Sequence, residues 1–256
     1  MAKKNIEDNI SIQDQRIDEQ RVALRIVGIT PLIVHSWSEK AKKEIRDKQM
    51  GKKSVKGKEP KDPFDDFIQS AYWLEGKPVK STPEAFEEAV KNGAKWGFKV
   101  TAIKQSANVT AYRKEWVKNQ TQLKAAYFIT GWDADFFEIK GSTPIMREDN
   151  VKIGMGTADL RYRAMFEEWY ADIVVSYDAN SGVTLEQIIN YINAAGYSNG
   201  IGEWRPEKDG NFGRFRVVTD IEHTDIYMHE DKIMRMLASN DVSYEELVDM
   251  IAKRKQ

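Results

Sequence analysis

The sequence contains no cysteine and only three histidines among its 256 residues. Without cysteine the chain forms neither disulfides nor thiolate metal sites, which suits a reducing compartment. No stretch approaches the roughly 18 apolar residues that a membrane helix needs, and the first residues form no apolar signal core. We therefore expect a soluble intracellular protein that holds no cofactor and no metal ion.

The net charge of −1 conceals a strong asymmetry along the chain. Between positions 40 and 61, ten Lys and Arg stand against three acids, whereas between 220 and 249 nine acids stand against two bases. A polyanion responds to such local fields and not to the average charge. The basic and acidic segments could also pair with each other, within one chain or between subunits.

Two segments have the composition of strands. Residues 21–34 and 169–177 are rich in β-branched side chains, and Gly28 with Pro31 indicates a bend in the first of them. Residues 126–139 indicate further β structure, broken near position 131, and 215–218 a last strand.

Helices are expected between these strands. Pro83, after Ser81 and Thr82, marks a helix start, with an apolar face that extends toward Trp96. Residues 184–195 have helical apolar spacing, with Thr184 as N-cap and Gly196 at the position of a glycine just past the helix end. The order predicts an α+β fold with a modified ferredoxin-like (RRM-like) β-α-β-β-α-β core and large insertions.

The same order of segments predicts the domain organisation. We expect an N-terminal arm at 1–20, the core at 21–219 and a helical C-terminal tail at 220–256. The core carries a basic insertion at 37–82 and a long polar segment at 141–165 without a clear period. A segment of that length without structure is usually functional or ordered by a partner.

The loop at 197–215 combines four glycines with cationic and aromatic residues between a helix and a strand. Its glycines are Gly200, Gly202, Gly210 and Gly213. Such a loop can bring backbone N–H groups, guanidinium groups and stacking rings to one phosphate-bearing ligand. The alternative is a long connection whose aromatic residues only cover the core.

The candidate nucleic-acid-binding residues form three groups. The basic insertion supplies Lys40, Lys42, Lys43, Arg46, Lys52, Lys53 and Lys56, the polar segment Arg147, Lys152, Arg161 and Arg163, and the loop Trp204, Arg205, Phe212 and Arg214. Cations would bind a polyanion in a salt-dependent manner. The alternatives are a solvated helix face for the insertion, pairing of Arg147 with a nearby acid or a neighbouring subunit, and a core position for Trp204. We expect alanine at positions 205 and 214 to weaken binding with little loss of folding.

Catalytic motifs are weak. His35 follows the first strand, but a general base needs a partner and a positioned nucleophile, and neither is visible. Acidic pairs such as Asp133 with Asp135 are common on surfaces, and Gly154-Met155-Gly156 lacks the lysine and spacing of a phosphate-binding loop. We expect no enzyme, with a metal-dependent nuclease as the remaining catalytic alternative.

The loop segments 200–206 and 212–215 resemble the glycine-rich loop of the RAMP superfamily, whose ferredoxin-like members bind RNA in CRISPR effector complexes. The chain is also similar to a group of bacteriophage and prophage proteins through 31–35, 38–42, 146–149 and 202–207, and the likeness spans most of 21–218. The resemblance implies a self-assembling protein whose copies stack head to tail along a strand, with 38–61 as a protruding arm. No partner CRISPR subunit is visible, so a guide-RNA role does not follow.

These observations together predict a non-enzymatic protein that coats single-stranded nucleic acid as a homo-oligomer or filament. For a phage protein in the cytoplasm of a bacterial host cell, single-stranded DNA during replication or recombination is the natural ligand, and RNA stays open. The alternative is a phage protein-interaction factor that mimics or inhibits a host CRISPR or defence complex.

Overall fold

The computed structural model describes residues 17–37, 39–51, 61–153 and 157–218. Its strands are β1 Glu19–Gly28, β2 Leu32–Val34, β3 Tyr72–Glu75, β4 Lys95–Lys99, β5 Tyr127–Thr130, β6 Phe136–Gly141, β7 Ile145–Ile153, β8 Thr157–Phe166, β9 Trp169–Asp178 and β10 Phe215–Val218. Its helices are α1 Glu39–Gln49, α2 Pro63–Ser70, α3 Pro83–Lys91, α4 Val100–Arg113, α5 Gln120–Ala126 and α6 Leu185–Ser198.

Some predictions concern the rest of the chain. Most of the expected N-terminal arm and all of the helical tail lie outside the described residues, as do Lys52, Lys53 and Lys56. Residues 19 and 20, assigned to that arm, already belong to β1.

The central sheet has the ferredoxin-like strand order. Strands β10, β1, β9 and β5 are neighbours in that order, and each adjacent pair is antiparallel. Along the chain these four strands alternate with helices as β1-α4-β5-β9-α6-β10. This is the β-α-β-β-α-β arrangement that the sequence predicted, so the fold class is confirmed.

The helix of the first β-α-β unit is α4, whereas the sequence pointed to the one that Pro83 begins. That helix exists as α3, with Thr82 as its N-cap, but it lies in the insertion. In α4 the buried positions Ile103, Ala107 and Ala111 recur every four residues. Because two of the three are alanines, this stripe is buried by close helix packing without a strong apolar pattern in the sequence.

The polar segment at 141–165 is a β-hairpin, which corrects the expectation of a stretch without regular structure. Strands β7 and β8 pair from Ile145 opposite Met165 to Ile153 opposite Thr157. β8 also pairs with β2, so the hairpin completes a second, three-stranded sheet. Helix α2 fixes this sheet through the Ser70 hydroxyl, which accepts a 2.8 Å hydrogen bond from the Ala164 amide.

Helix α6 begins as predicted and ends later. Thr184 and Gln187 form a reciprocal capping box at its start. Gly196, expected beyond the helix end, lies inside it. A Cβ at position 196 would lie 2.0 Å from the carbonyl oxygen of Phe215, so glycine is required there for the close approach of α6 to β10.

The first predicted strand is divided by its bend into β1 and β2, which belong to different sheets. The Trp169 indole donates a 3.0 Å hydrogen bond to the Thr30 carbonyl at this bend. A hydrophobic core that includes Ile26, Leu32 and Phe215 joins the two sheets. None of the helices in the described part of the chain is long and apolar enough to cross a membrane.

Candidate nucleic-acid interface

The glycine-rich loop leaves α6 and is held against the bend that follows β1. Gly200, Gly202 and Gly213 have φ of 64°, 81° and 66°, a region that favours glycine. The Gly213 amide donates to the Pro31 carbonyl at 2.8 Å, and the Glu203 amide donates to the Ile33 carbonyl at 2.9 Å. Backbone hydrogen bonds therefore fix the loop as a structured wall beside β2.

Trp204 stands on the surface of this loop and not in the core. Its φ is 50°, unusual for a residue with a side chain, and the residue is 38% exposed. Its carbonyl accepts a 3.0 Å hydrogen bond from the Phe212 amide, and Gly210 packs against its backbone so closely that a Cβ would lie 1.8 Å from the Trp204 oxygen. The fixed backbone holds the indole at the surface.

Arg205 supports the loop from within. Its Nη1 donates to the Gly202 carbonyl at 2.9 Å, and its Nη2 donates to Oε2 of Glu207 at 2.9 Å. Arg113 of α4 donates to the other oxygen of the same carboxylate at 3.2 Å. The hydrogen bond from Arg205 lowers the pKa of Glu207 below its ordinary value. The guanidinium expected to reach a ligand is thus engaged with its own chain.

Two of the four cations predicted in the polar segment are engaged in the same way. Arg163 is 3% exposed and donates from Nη1 to Oδ2 of Asp149 at 3.1 Å, and its Nη2 lies 3.7 Å from Glu203. Arg147, directly opposite Arg163, donates to Oδ1 of the same carboxylate at 2.9 Å. Of the two alternatives for Arg147, the pairing with Asp149 is observed, and Arg163 lies inside the protein and not on its surface.

Two aromatic rings of this region lie beneath guanidinium groups. Arg147 lies 4.5 Å from the ring centre of Phe212, and Arg214 lies 4.9 Å from that of Tyr197. Each pair presents a cation on an aromatic face, which is a surface that suits both a phosphate and an unstacked base. Arg147 and Phe212 also connect the hairpin to the loop.

A cleft of about 630 Å³ lies on the inner side of the loop. It is lined by residues of α4, which we call its floor, by residues of α5, and by loop residues 199–203 with Arg205 and Glu207. The remaining lining residues outside the loop are His35, Tyr72, Phe98, Lys99, Ala102, Gln105, Ser106, Asn108 and Val109, and α5 contributes Gln120 and Lys124.

Hydrogen bonds join the floor of the cleft to the loop. The Ser106 hydroxyl donates to the Gly200 carbonyl at 3.1 Å, and the Asn199 amide group donates to the Ser106 carbonyl at 3.4 Å. Both Ser106 and Asn199 are buried. These internal hydrogen bonds hold the loop at a fixed distance from α4, so the cleft is preformed.

One part of the cleft lining combines an aromatic ring with titratable groups. The Tyr72 hydroxyl donates to the His35 carbonyl at 3.2 Å, and Nζ of Lys99 lies 5.6 Å from the Tyr72 ring centre. Burial lowers the pKa of His35, and the charge of Arg163 lowers it further. These two effects favour the neutral form of His35.

The basic helix α1 is a separate surface. Lys42, Lys43 and Arg46 are exposed on it. The side chains of Lys40 and Lys152 lie outside the described residues. Arg161 lies on β8 with its Nε 3.8 Å from Asp159. The alternatives of ligand contact and solvated face stay open for α1.

Sequence reasoning missed Lys99, Lys124 and Tyr72 as residues of one site. They belong to β4, α5 and β3, lie at least 25 positions apart along the chain and share no motif. Only the tertiary fold brings them to one cleft. Among the described residues, no group of three or more His, Asp or Glu side chains is placed to hold a metal ion.

The strand order and the loop define a ferredoxin-like α+β protein with an inserted hairpin sheet. No family model matches the sequence, and no curated protein matches it. Among solved structures, Cmr6 from Pyrococcus furiosus is similar at 9% identity, over 78% of this chain and 98% of that chain, with a TM-score of 0.34. So distant a likeness carries no argument about function, and the fold assignment stands on the strand order.

Proposed function

We propose that this protein binds single-stranded nucleic acid in the cleft beside the glycine-rich loop and catalyses no reaction there. The observation that carries this proposal is the lining of the cleft. Lys99 and Lys124 provide cations from two elements, Tyr72 provides an aromatic ring, and the glycine-rich loop contributes residues 199–203 to the lining.

The chemistry of these groups matches the two repeating parts of a single strand. Lysine ammonium groups neutralise phosphates, and aromatic rings stack on bases that have no pairing partner. A duplex would hide its bases from the half-buried ring of Tyr72. The same cleft therefore favours one strand over two.

The proposal assigns no catalytic step to His35. The pKa of this histidine is lowered by burial and by Arg163, which favours the neutral ring. Glu203, whose charge acts on His35, lies 3.7 Å from Arg163 and is thereby shared with another charge. We propose a contact role for His35 in the cleft.

Self-association along the strand forms part of the proposal, and the hairpin supports it. β7 is an edge strand of the three-stranded sheet in the described structure, and it carries exposed Ile145 and Met146. An apolar edge strand is a surface on which another chain can pair. Light scattering with and without an oligonucleotide tests whether mass increases in steps of one subunit as the strand lengthens.

Fluorescence anisotropy with labelled single-stranded DNA, single-stranded RNA and duplex DNA, across a salt series, tests the binding. We expect binding to a single strand, and the combined Lys99→Glu and Lys124→Glu changes should weaken it at least tenfold and flatten the salt dependence. The control carries Lys80→Glu and Lys91→Glu, which alter two exposed lysines away from the cleft. An equal loss of binding affinity in both double variants would overturn the proposal, and so would the absence of binding to any of the three nucleic acids.

A further inference from the structure

The floor of the cleft is one face of α4. Four of the five α4 residues that line the cleft, Ala102, Gln105, Ser106 and Val109, follow helical spacing along that face. The next positions on that face are Tyr112 and Arg113, three and four residues beyond Val109. From Lys99 to Tyr112 the helix rises by about 20 Å at roughly 1.5 Å per residue.

The C-terminal end of α4 and the residues that follow it are aromatic and cationic. Tyr112 is 54% exposed and Trp116 is 49% exposed. Trp116 is held in place by stacking on Tyr191 of α6, with ring centres 5.8 Å apart and planes at 28°. Between positions 112 and 118 three cations, Arg113, Lys114 and Lys118, stand against one acid.

Arg113 makes this end continuous with the cleft. Its guanidinium lies between the loop residues Asn199 and Glu207, at 3.5 Å from Oδ1 of the first and 3.2 Å from Oε1 of the second. Both of those residues line the cleft. A strand that leaves the cleft along α4 therefore passes over Arg113 and meets the Tyr112 ring next.

We propose that the last turn of α4 is a second contact region, in which Tyr112 stacks on an unpaired base and Arg113 and Lys114 face the adjoining phosphates. This inference rests on the proposed function and extends it along the helix. The strand runs along α4 from Lys99 to Tyr112, and oligonucleotides longer than the cleft gain affinity from this region.

The test compares a 4-nucleotide and a 12-nucleotide single strand on the full chain and on variants at position 112. We expect Tyr112→Ala to weaken binding of the 12-mer at least about 5-fold, the lower end of the roughly 5- to 150-fold range that loss of one base–aromatic stack gives, with little effect on the 4-mer. Tyr112→Phe keeps the ring and should bind as the unaltered chain does. Trp132→Ala, which removes an exposed aromatic near Lys95, serves as the matched control.

A second readout separates stacking from any structural effect. In a 12-mer with 2-aminopurine at one position at a time, stacking on Tyr112 changes the fluorescence at one position, and Tyr112→Ala abolishes that change there alone. If Tyr112→Ala binds the 12-mer as well as the unaltered chain does, the second contact region is wrong while binding in the cleft stands. If the unaltered chain binds neither oligonucleotide, both proposals are overturned.

Discussion

The Arg163 guanidinium and the Asp149 carboxylate form a buried ion pair across the β7–β8 hairpin, with Nη1 3.1 Å from Oδ2. Arg163 is 3% exposed and Asp149 is 7% exposed. Nε of Arg163 has no hydrogen-bond partner among the described residues, so this cation depends on its few contacts. The pair joins β7 to β8 inside the protein, and its loss should be costly because both partners are buried.

Asp149→Asn is expected to destabilise the fold by about 3 kcal/mol, because a buried arginine would lose most of its compensating charge. Urea unfolding followed by circular dichroism measures this change. Glu148→Gln, an exposed change on the same strand, should alter the free energy of unfolding by no more than about 0.5 kcal/mol. Equal stability of the two variants would mean that the ion pair contributes little.

Gly196→Ala should destabilise the protein strongly, because the added methyl group would lie 2.0 Å from the Phe215 carbonyl oxygen. Either α6 or β10 must then move, and overpacking of this kind costs about 1–3 kcal/mol or more. Gly182→Ala is the comparison, since it has a positive φ of 78° but no atom within 4 Å of the new Cβ. Thermal unfolding should show the larger loss at position 196, and the reverse order would contradict the close approach of α6 to β10.

Alanine substitution should separate the two loop arginines that the sequence placed together. Arg205→Ala removes hydrogen bonds to Gly202 and Glu207, so we expect the melting temperature to fall by several degrees and any ligand binding to weaken with it. Arg214→Ala removes a cation from the Tyr197 ring and should weaken binding with little change in melting temperature. If Arg205→Ala leaves the melting temperature unchanged, the hydrogen bonds of Arg205 contribute little to stability, and the expectation from the sequence that this guanidinium faces a ligand would hold.

Glu207 should make part of the stability depend on acid pH. The pKa of its carboxyl is lowered in the folded chain by the Arg205 hydrogen bond, so the folded state favours the charged form. This contribution is complete above the ordinary glutamate pKa of roughly 4.3. It is lost as the pH falls through the lower, folded-state value.

The measurement is the difference in free energy of unfolding between the unaltered chain and Glu207→Gln. We expect a difference of about 1 kcal/mol near neutral pH, constant down to about pH 5 and shrinking below the ordinary glutamate pKa of roughly 4.3. Using the difference cancels the titration of the other carboxylates. If the difference in free energy of unfolding is the same at pH 3 as at pH 7, the charge of Glu207 is not what stabilises the loop.

The sequence determined the elements whose signals are local. β-branched composition identified the strand β9, and Thr184 with Gln187 caps α6 through contacts within one helical turn. The glycines of the loop could be recognised because positive φ is a property of single residues. The order of these elements was enough to predict the ferredoxin-like class.

Tertiary structure decided which helix enters the core, what the polar segment forms and which cations face outward. α4 packs through alanines, so its burial depends on neighbouring elements and leaves only a weak pattern in the sequence. The hairpin joins a sheet through the pairing of β8 with the distant β2, and strand pairing brings Asp149 to Arg163. Lys99, Lys124 and Tyr72 share a cleft for the same reason, since proximity between distant parts of a chain is a property of packing and not of spacing in sequence.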